Sequence, residues 1–457
     1  MTKLSRIIID NLKNVVHGEM NFKSKDKYLN VVGIYGQNGS GKTTLIDAVG
    51  IYHDLVTGRM MKEDVIDYLN ADPSVISILF ENDGKAFEYV VRLELVDGQA
   101  LVTGEKLRTS KLPNHTYKKD VFSFEYDVAN NETKIEPEKG NFSTLEIPII
   151  ATAKDRKSFV FGNVFHEWLK RNEGVKKYSD LRQAVTLIQR VALQLNIHTE
   201  VMNGYLATGN FLPLSFVMND KHAKSTGTLP VSLQKYEGSE KGGLHYKEPE
   251  AMLIKNVFAK ISNVIEQIVP GMTLLTKLYE QTTADGEGKE FRVEILTNRQ
   301  GKIIPLRAES LGVQKLISIL ALLMEVYNNP NQIVFIDELD SGIFEYLLGE
   351  LVQVMSDGAR GQLIFTSHNL RVLETLPESK IYFSTNDENN RYVQIKGTRD
   401  SNNLRNLYLR EILLNESERS LYENTDTSSI KFAFEDADLD DEEQAAINPY
   451  HDYSFGL

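Results

Sequence analysis

The chain has no cysteine among its 457 residues. That excludes disulfides, thiolate metal sites and cysteine nucleophiles, and it fits a reducing compartment. No apolar run is long enough to span a bilayer; the longest, residues 316–324 with Val326 beyond, reads as a buried helix. The opening ten residues hold a short apolar run broken by Asp10, so no signal peptide is expected. Basic residues are outnumbered, 51 Lys and Arg against 64 Asp and Glu, giving a formal net charge of −13. Such a balance argues against a protein coated in basic surface for nucleic acid, while leaving room for a local basic groove. Much of the acidic excess sits in one stretch, 435–443, where seven of nine residues are acidic. The rest is ordinary for a globular protein, with 41% apolar and 25% charged residues and length for two or three domains. A cytoplasmic location with no membrane partner is the expectation.

What is present is organised around Gly36-Gln37-Asn38-Gly39-Ser40-Gly41-Lys42-Thr43-Thr44. It follows an apolar strand-like run, 28–35, and leads into a helix-like one, 45–51. Phosphate oxygens need many donors at short range, and glycines let the backbone curl until successive N–H groups converge, with a helix start adding its positive dipole end. Lys42 then reaches the β- and γ-phosphates, and the Thr43 hydroxyl holds a bridging Mg²⁺. A second stretch, 331–342, is a buried strand that delivers Asp337 and Glu338 at its C-terminal end, where α/β ligand sites lie. Asp337 is the Mg²⁺ ligand, directly or through water, and Glu338 polarises the attacking water. The next core strand, 362–366, runs on to His368. A lone histidine is most often structural, but this position suits a γ-phosphate contact. Finally, Ser310 and Gly312 precede an apolar helix, a second anion site suited to the nucleotide of another subunit.

Between these motifs, residues 4–10 and 18–22 read as a hairpin, and helix-like sequence runs from the phosphate loop to about Tyr68. Strands 75–81 and 88–96, with 100–103 added, read as an antiparallel patch, and 274–283, 291–297 and 302–305 are strand-like. Helices are expected over 164–171, 181–202 and 250–267, with an exposed loop over 219–243. The expected divisions are 1–147 and 271–400 for the two halves of the core, 148–270 for a mostly helical insertion, and 401–457 for a C-terminal helix and acidic tail.

Together these residues resemble the ATP-binding-cassette ATPase superfamily, an α/β fold with a P-loop NTPase core, here with an antiparallel β subdomain and a mostly helical insertion. Gly36 to Thr43 resembles Walker A, Asp337-Glu338 Walker B with its catalytic glutamate, Asp340-Ser341 the D-loop, and His368 the switch histidine. Ser310, Gly312 and Lys315 resemble a signature motif acting in trans, with Val313 in place of the second glycine. The segment 9–14 is similar to the opening of RecF-like and chromosome-maintenance ATPases, which implies that Lys13 and Asn14 approach the nucleotide. The nearest resemblance is to RecF/OLD-like AAA ATPases of bacterial anti-phage and abortive-infection systems, without their Toprim nuclease; Asp438-Leu439-Asp440 lies in a short tail. The resemblance implies ATP and Mg²⁺, a homodimer or higher homo-oligomer, and a separately encoded toxin or nuclease as effector. DNA, acted on in repair or end sensing, is the alternative, with Lys118-Lys119, Lys154, Arg156, Lys157, Lys170-Arg171 and Lys176-Lys177 as its basic clusters. A transporter subunit is disfavoured, because Thr43 and Ser310 stand 267 positions apart. A long chromosome-protein arm is disfavoured by the lack of sustained heptads between them.

Overall fold

The computed structural model describes residues 1–24, 27–111, 120–137, 142–199, 211–219, 224–233, 244–283, 288–395, 404–414 and 426–436. The acidic run beyond Asp436, Lys118-Lys119 and parts of the expected 219–243 loop lie outside these residues.

Five apolar segments too short for helices form a parallel sheet in the spatial order Leu195–His198, Ile333–Ile336, Gln362–Thr366, Val31–Tyr35 and Ile381–Ser384, with Tyr392–Val393 added antiparallel at one edge. Val31–Tyr35, Ile333–Ile336 and Gln362–Thr366 are buried at every position. Strands covered on both faces read as continuous apolar runs, which is why the sequence exposes them. Their parallel direction brings three C-terminal ends to one edge, carrying the 36–41 loop, Asp337-Glu338 and His368.

Beside it stands a seven-stranded antiparallel sheet that begins with Thr2–Leu12 and Val15–Asn21 and runs through Ser74–Asn82, Lys85–Val96, Gln99–Lys111 and Asp120–Asp127 to Glu132–Glu136. The patch expected from the sequence is thus extended by two strands whose alternating polar residues gave little signal. The two sheets meet where the Val15–Asn21 strand bonds the 385–392 turn, through His17 N–H to the Glu388 carbonyl (2.9 Å) and Arg391 N–H to the His17 carbonyl (3.1 Å). A third sheet, in which Lys289–Arg299 pairs with Met272–Thr282 on one side and with Lys302–Pro305 and Tyr246–Lys247 on the other, packs on helix Glu248–Ile268.

The helices Glu146–Lys154, Asn163–Arg171 and Ser179–Ala192 of the insertion share an apolar cluster with the seven-stranded sheet and the Lys42–Val56 helix. Elsewhere the insertion departs from expectation in two ways. The helix expected over 181–202 stops at Ala192, and Leu195–His198 becomes the edge strand of the parallel sheet. Lys224–Ser232, expected in a loop, pairs with Phe211–Asn219 as a hairpin against helix Leu311–Asn328, burying Leu212, Leu214 and Val231. The helix after the phosphate loop likewise ends early, at Val56, where Gly58 turns left-handed (φ +73°), and Glu63–Tyr68 is a 3₁₀ helix.

Among the described residues only Leu311–Asn328 is long and apolar enough to cross a membrane, and 61% of that stretch is buried in the protein. Ile317, Ile319 and Val326 on it are fully enclosed by the second apolar cluster, as a core helix requires.

Candidate functional site

The phosphate loop leaves the buried Val31–Tyr35 strand and enters the Lys42–Val56 helix. Gly39 (φ +79°) and Gly41 (φ +96°) take left-handed conformations that cost other residues about 1 kcal/mol or more. A Cβ at Gly41 would also stand 2.9 Å from Val15 Cγ2. No side chain caps this helix and its first turn carries no acid, so its leading amides and positive dipole end stay available to an anion.

A cleft of about 410 Å³ opens here, lined by Asn38, Gly39, Gly41, Lys42, Thr43 and Thr44, by Lys13 and Asn14 from the N-terminal hairpin, and by Asp337, Glu338 and His368. Eleven of the residues singled out from sequence therefore converge on one space. Gly36 and Ser40 do not line it. The Ser40 hydroxyl donates to the Gln37 carbonyl (2.6 Å) and touches Ser384 Oγ, fastening the loop from behind, and the Gly36 carbonyl accepts from Lys42 Nζ (2.9 Å).

Lys42 is 7% exposed and also donates to the Gln37 carbonyl at 2.9 Å. Burial lowers its pKa, while Asp337, Glu338 and Asp340 pull the other way. Asp337 is 4% exposed; its Oδ1 accepts from the Thr366 hydroxyl at 2.5 Å. That same hydroxyl accepts the Glu338 N–H at 2.8 Å, so one threonine on the neighbouring strand seats both acids. Glu338 is left-handed (φ +48°), an uncommon state for this residue type that persists only where its surroundings hold it. His368 donates its N–H to Asp340 Oδ2 at 3.0 Å, and Asp340 Oδ1 is buried with no hydrogen-bond partner among the described residues. The His368 pKa is lowered, first by burial and then by the Lys42 ammonium, with Asp340 and Asp337 opposing.

At the other wall, Lys13 (φ +51°) places its ammonium 2.5 Å from Asp47 Oδ2 and 3.7 Å over the Tyr68 ring. The Asn14 amide donates to the Gly39 carbonyl and accepts from the Thr44 hydroxyl (3.1 Å), tying hairpin to loop. A neighbouring cleft of about 450 Å³, reached by Asp47, Asp54, Arg59 and Tyr68, has neither a curled glycine loop nor a paired acid.

The signature-like residues are not in the cleft of their own chain. Ser310 is exposed and caps helix Leu311–Asn328, its hydroxyl accepting from the Val313 N–H at 3.4 Å. A Cβ on Gly312 would stand 1.9 Å from the Gly342 carbonyl oxygen, so this glycine is required by close backbone packing against the D-loop. Lys315 corrects the expectation of a contact across subunits: it is 4% exposed and its ammonium donates inward to the Glu338 carbonyl at 2.5 Å. Ser341 is exposed, with its N–H donating to that same carbonyl at 3.1 Å.

Four supporting residues escaped the sequence analysis. Tyr392 donates its hydroxyl to the Gly41 carbonyl at 2.7 Å, Arg391 donates to the Asn14 and Thr385 carbonyls, Ser384 donates to the Tyr35 carbonyl at 3.1 Å, and Thr366 seats the acids. Only Thr366 had a signal, its place beside His368; the others sit over 340 positions from the loop they hold.

The donor set suits Mg²⁺ held with a nucleotide. Among the described residues no three His, Asp or Glu side chains form a metal cage, and Mg²⁺ takes one or two protein ligands plus phosphate and water. Thr43 and Asp337 offer that much.

Two family models match: one described as "AAA domain, putative AbiEii toxin, Type IV TA system" over residues 200–374, and one described as "AAA domain" over 6–203. No curated protein sequence matches. Among solved structures, an SMC head domain from Thermotoga maritima is 14% identical, covering 86% of this chain and all of its own, with a TM-score of 0.36. An SMC head bound to the C-winged helix domain of ScpA is 11% identical over 86% of this chain and 98% of its own, at 0.43. An SMC head with an extended coiled coil, bound to the C-terminal domain of ScpA derived from Pyrococcus furiosus, is 12% identical over 91% and 99%, at 0.39. The two AAA-domain models match successive stretches of the chain, in keeping with the glycine loop, acid pair and histidine at the C-terminal edge of the parallel sheet.

Proposed function

We propose that this chain binds and hydrolyses ATP, that two copies close around two nucleotides, and that this switch regulates a separately encoded toxin or nuclease in cytoplasmic bacterial phage defence. The observation that carries the ATPase is the convergence of Lys42, the uncapped helix start and the Asp337-Glu338 pair on one cleft. Lys42 exchanges its two carbonyl partners for phosphate oxygens, and the loop amides take the remaining lone pairs. Thr43 and Asp337 hold Mg²⁺, which when bound neutralises phosphate charge. Glu338 accepts a hydrogen bond from the attacking water and orients it, while neutral His368 faces the terminal phosphate. The exposed Ser310, next to a D-loop packed on Gly312, completes the site of the opposite copy.

The family model over 200–374 is described as a "putative AbiEii toxin, Type IV TA system", which is compatible with a toxin–antitoxin setting. The chain alone and co-expressed with the product of its adjacent gene, assayed for ATP turnover and for ATP-dependent release of that product, tests this. A specific observation favours a second function, DNA-end binding: Lys154, Arg156, Lys157, Lys170, Arg171, Lys176 and Lys177 all fall on one three-helix segment of an otherwise acidic protein. Salt-dependent affinity for duplex DNA, with turnover stimulated by it, is the result that would put this function first.

A further inference from the structure

Glu338 must aim its side chain into the cleft from a left-handed backbone position (φ +48°), and the peptide groups on both sides of it are clamped. Its N–H is taken by the Thr366 hydroxyl at 2.8 Å, while its carbonyl accepts both the Ser341 N–H at 3.1 Å and Lys315 Nζ at 2.5 Å. Thr366 belongs to the neighbouring core strand and Ser341 to the D-loop. Lys315 comes from elsewhere: it lies one turn into helix Leu311–Asn328, whose start is the signature-like Ser310-Leu311-Gly312. One turn before Lys315, Gly312 packs so closely on the D-loop that a Cβ would meet the Gly342 carbonyl oxygen at 1.9 Å. The helix start is therefore fixed to the acidic loop at two points on one face, a backbone contact and a charged hydrogen bond. Burying an ammonium at 4% exposure is costly unless it is strongly bonded. A neutral side chain would fill that space at lower cost, so the charge has a use beyond packing.

We infer that Lys315 is a positioning residue for the hydrolytic carboxylate: it holds the Glu338 peptide in its left-handed state and couples the seat of Ser310 and Gly312 to that carboxylate. This rests on the ATPase function proposed above and adds its regulation. A nucleotide engaged by Ser310 of the opposite copy pulls on the helix that carries Lys315, and the Glu338 peptide is the first group to respond. Lys42 donates to the Gly36 and Gln37 carbonyls and Lys315 to the Glu338 carbonyl, so loss of Lys315 is expected to leave nucleotide binding at Lys42 largely in place.

The test uses the full chain with ATP and Mg²⁺. In Lys315→Met, kcat falls about 10- to 100-fold, as expected for a misplaced reacting group, while ATP affinity stays within about threefold. Lys315→Arg, which keeps the charge and a donor, recovers most of the rate. In the Glu338→Gln background, adding Lys315→Met changes residual turnover less than about twofold, because residues acting through one group are not additive. A separate further loss in the double variant, or equal loss of affinity and rate in Lys315→Met, overturns the inference. Should Lys315→Met not fold, Lys315→Gln carries the same comparison. Wild-type chain with no Glu338-dependent turnover would instead overturn the ATPase function itself.

Discussion

Lys42 and Glu338 act in the same cleft on different events, so their removal separates binding from turnover. Lys42→Ala deletes a charged donor to phosphate and is expected to weaken ATP binding by about 10- to 100-fold or more, read by titration with a fluorescent nucleotide. Glu338→Gln keeps side-chain size and retains ATP while turnover falls. His368 supplies a pH signature. Its pKa lies below the ordinary 6.5 because burial and the Lys42 ammonium oppose protonation. The neutral imidazole is the form present at neutral pH, and what it contributes is held above the ordinary value and lost as pH falls through the lowered one. Turnover should therefore show an acid limb below 6.5 that His368→Gln removes; an unchanged limb in that variant would exclude His368 as its source. The site was legible at this scale because phosphate chemistry fixes residue types at fixed spacing, as in Gly39, Gly41, Lys42 and Thr43. Lys315 was misread because spacing from Ser310 says nothing of which way a long side chain turns.

At the scale of elements, the site is a loop, a hairpin and two strand ends fastened together. Gly312→Ala forces a methyl group onto the Gly342 carbonyl and should cost about 1–3 kcal/mol by denaturant unfolding, because backbone cannot move aside as a flexible side chain can. Tyr392→Phe removes the buried donor to the Gly41 carbonyl and is expected to cost about 1 kcal/mol and to weaken ATP binding severalfold. No loss in either property would mean that the Tyr392–Val393 strand does not brace the loop. The buried strands Val31–Tyr35, Ile333–Ile336 and Gln362–Thr366 were readable because each is a short apolar run that ends at a chemical motif. Leu195–His198 was not, since its pairing partner is remote: it bonds Ile333–Ile336, and only that contact distinguishes a short strand from the end of a helix. The hairpin of Phe211–Asn219 with Lys224–Ser232 pairs locally, but the helix it buries its apolar residues against, Leu311–Asn328, lies far along the chain. Element ends were least legible, as at Val56, where the following Gly58 and not the periodicity stops the helix.

At the scale of the whole molecule, one chain presents a complete phosphate loop and acid pair but turns Ser310 away from them, toward solvent. The proposed closure of two copies accounts for both facts, and hydrolysis then reopens the pair, a ligand-biased two-state switch. The measurement closest to this claim is the solution mass of the full chain, with and without ATP and Mg²⁺, for wild type, Lys42→Ala and Glu338→Gln. The account predicts that Glu338→Gln roughly doubles in mass or assembles further with ATP and keeps its nucleotide through gel filtration, that wild type does so only transiently, and that Lys42→Ala does not respond. A Glu338→Gln chain whose mass is the same with and without ATP, and which releases the nucleotide as quickly as wild type, would contradict it.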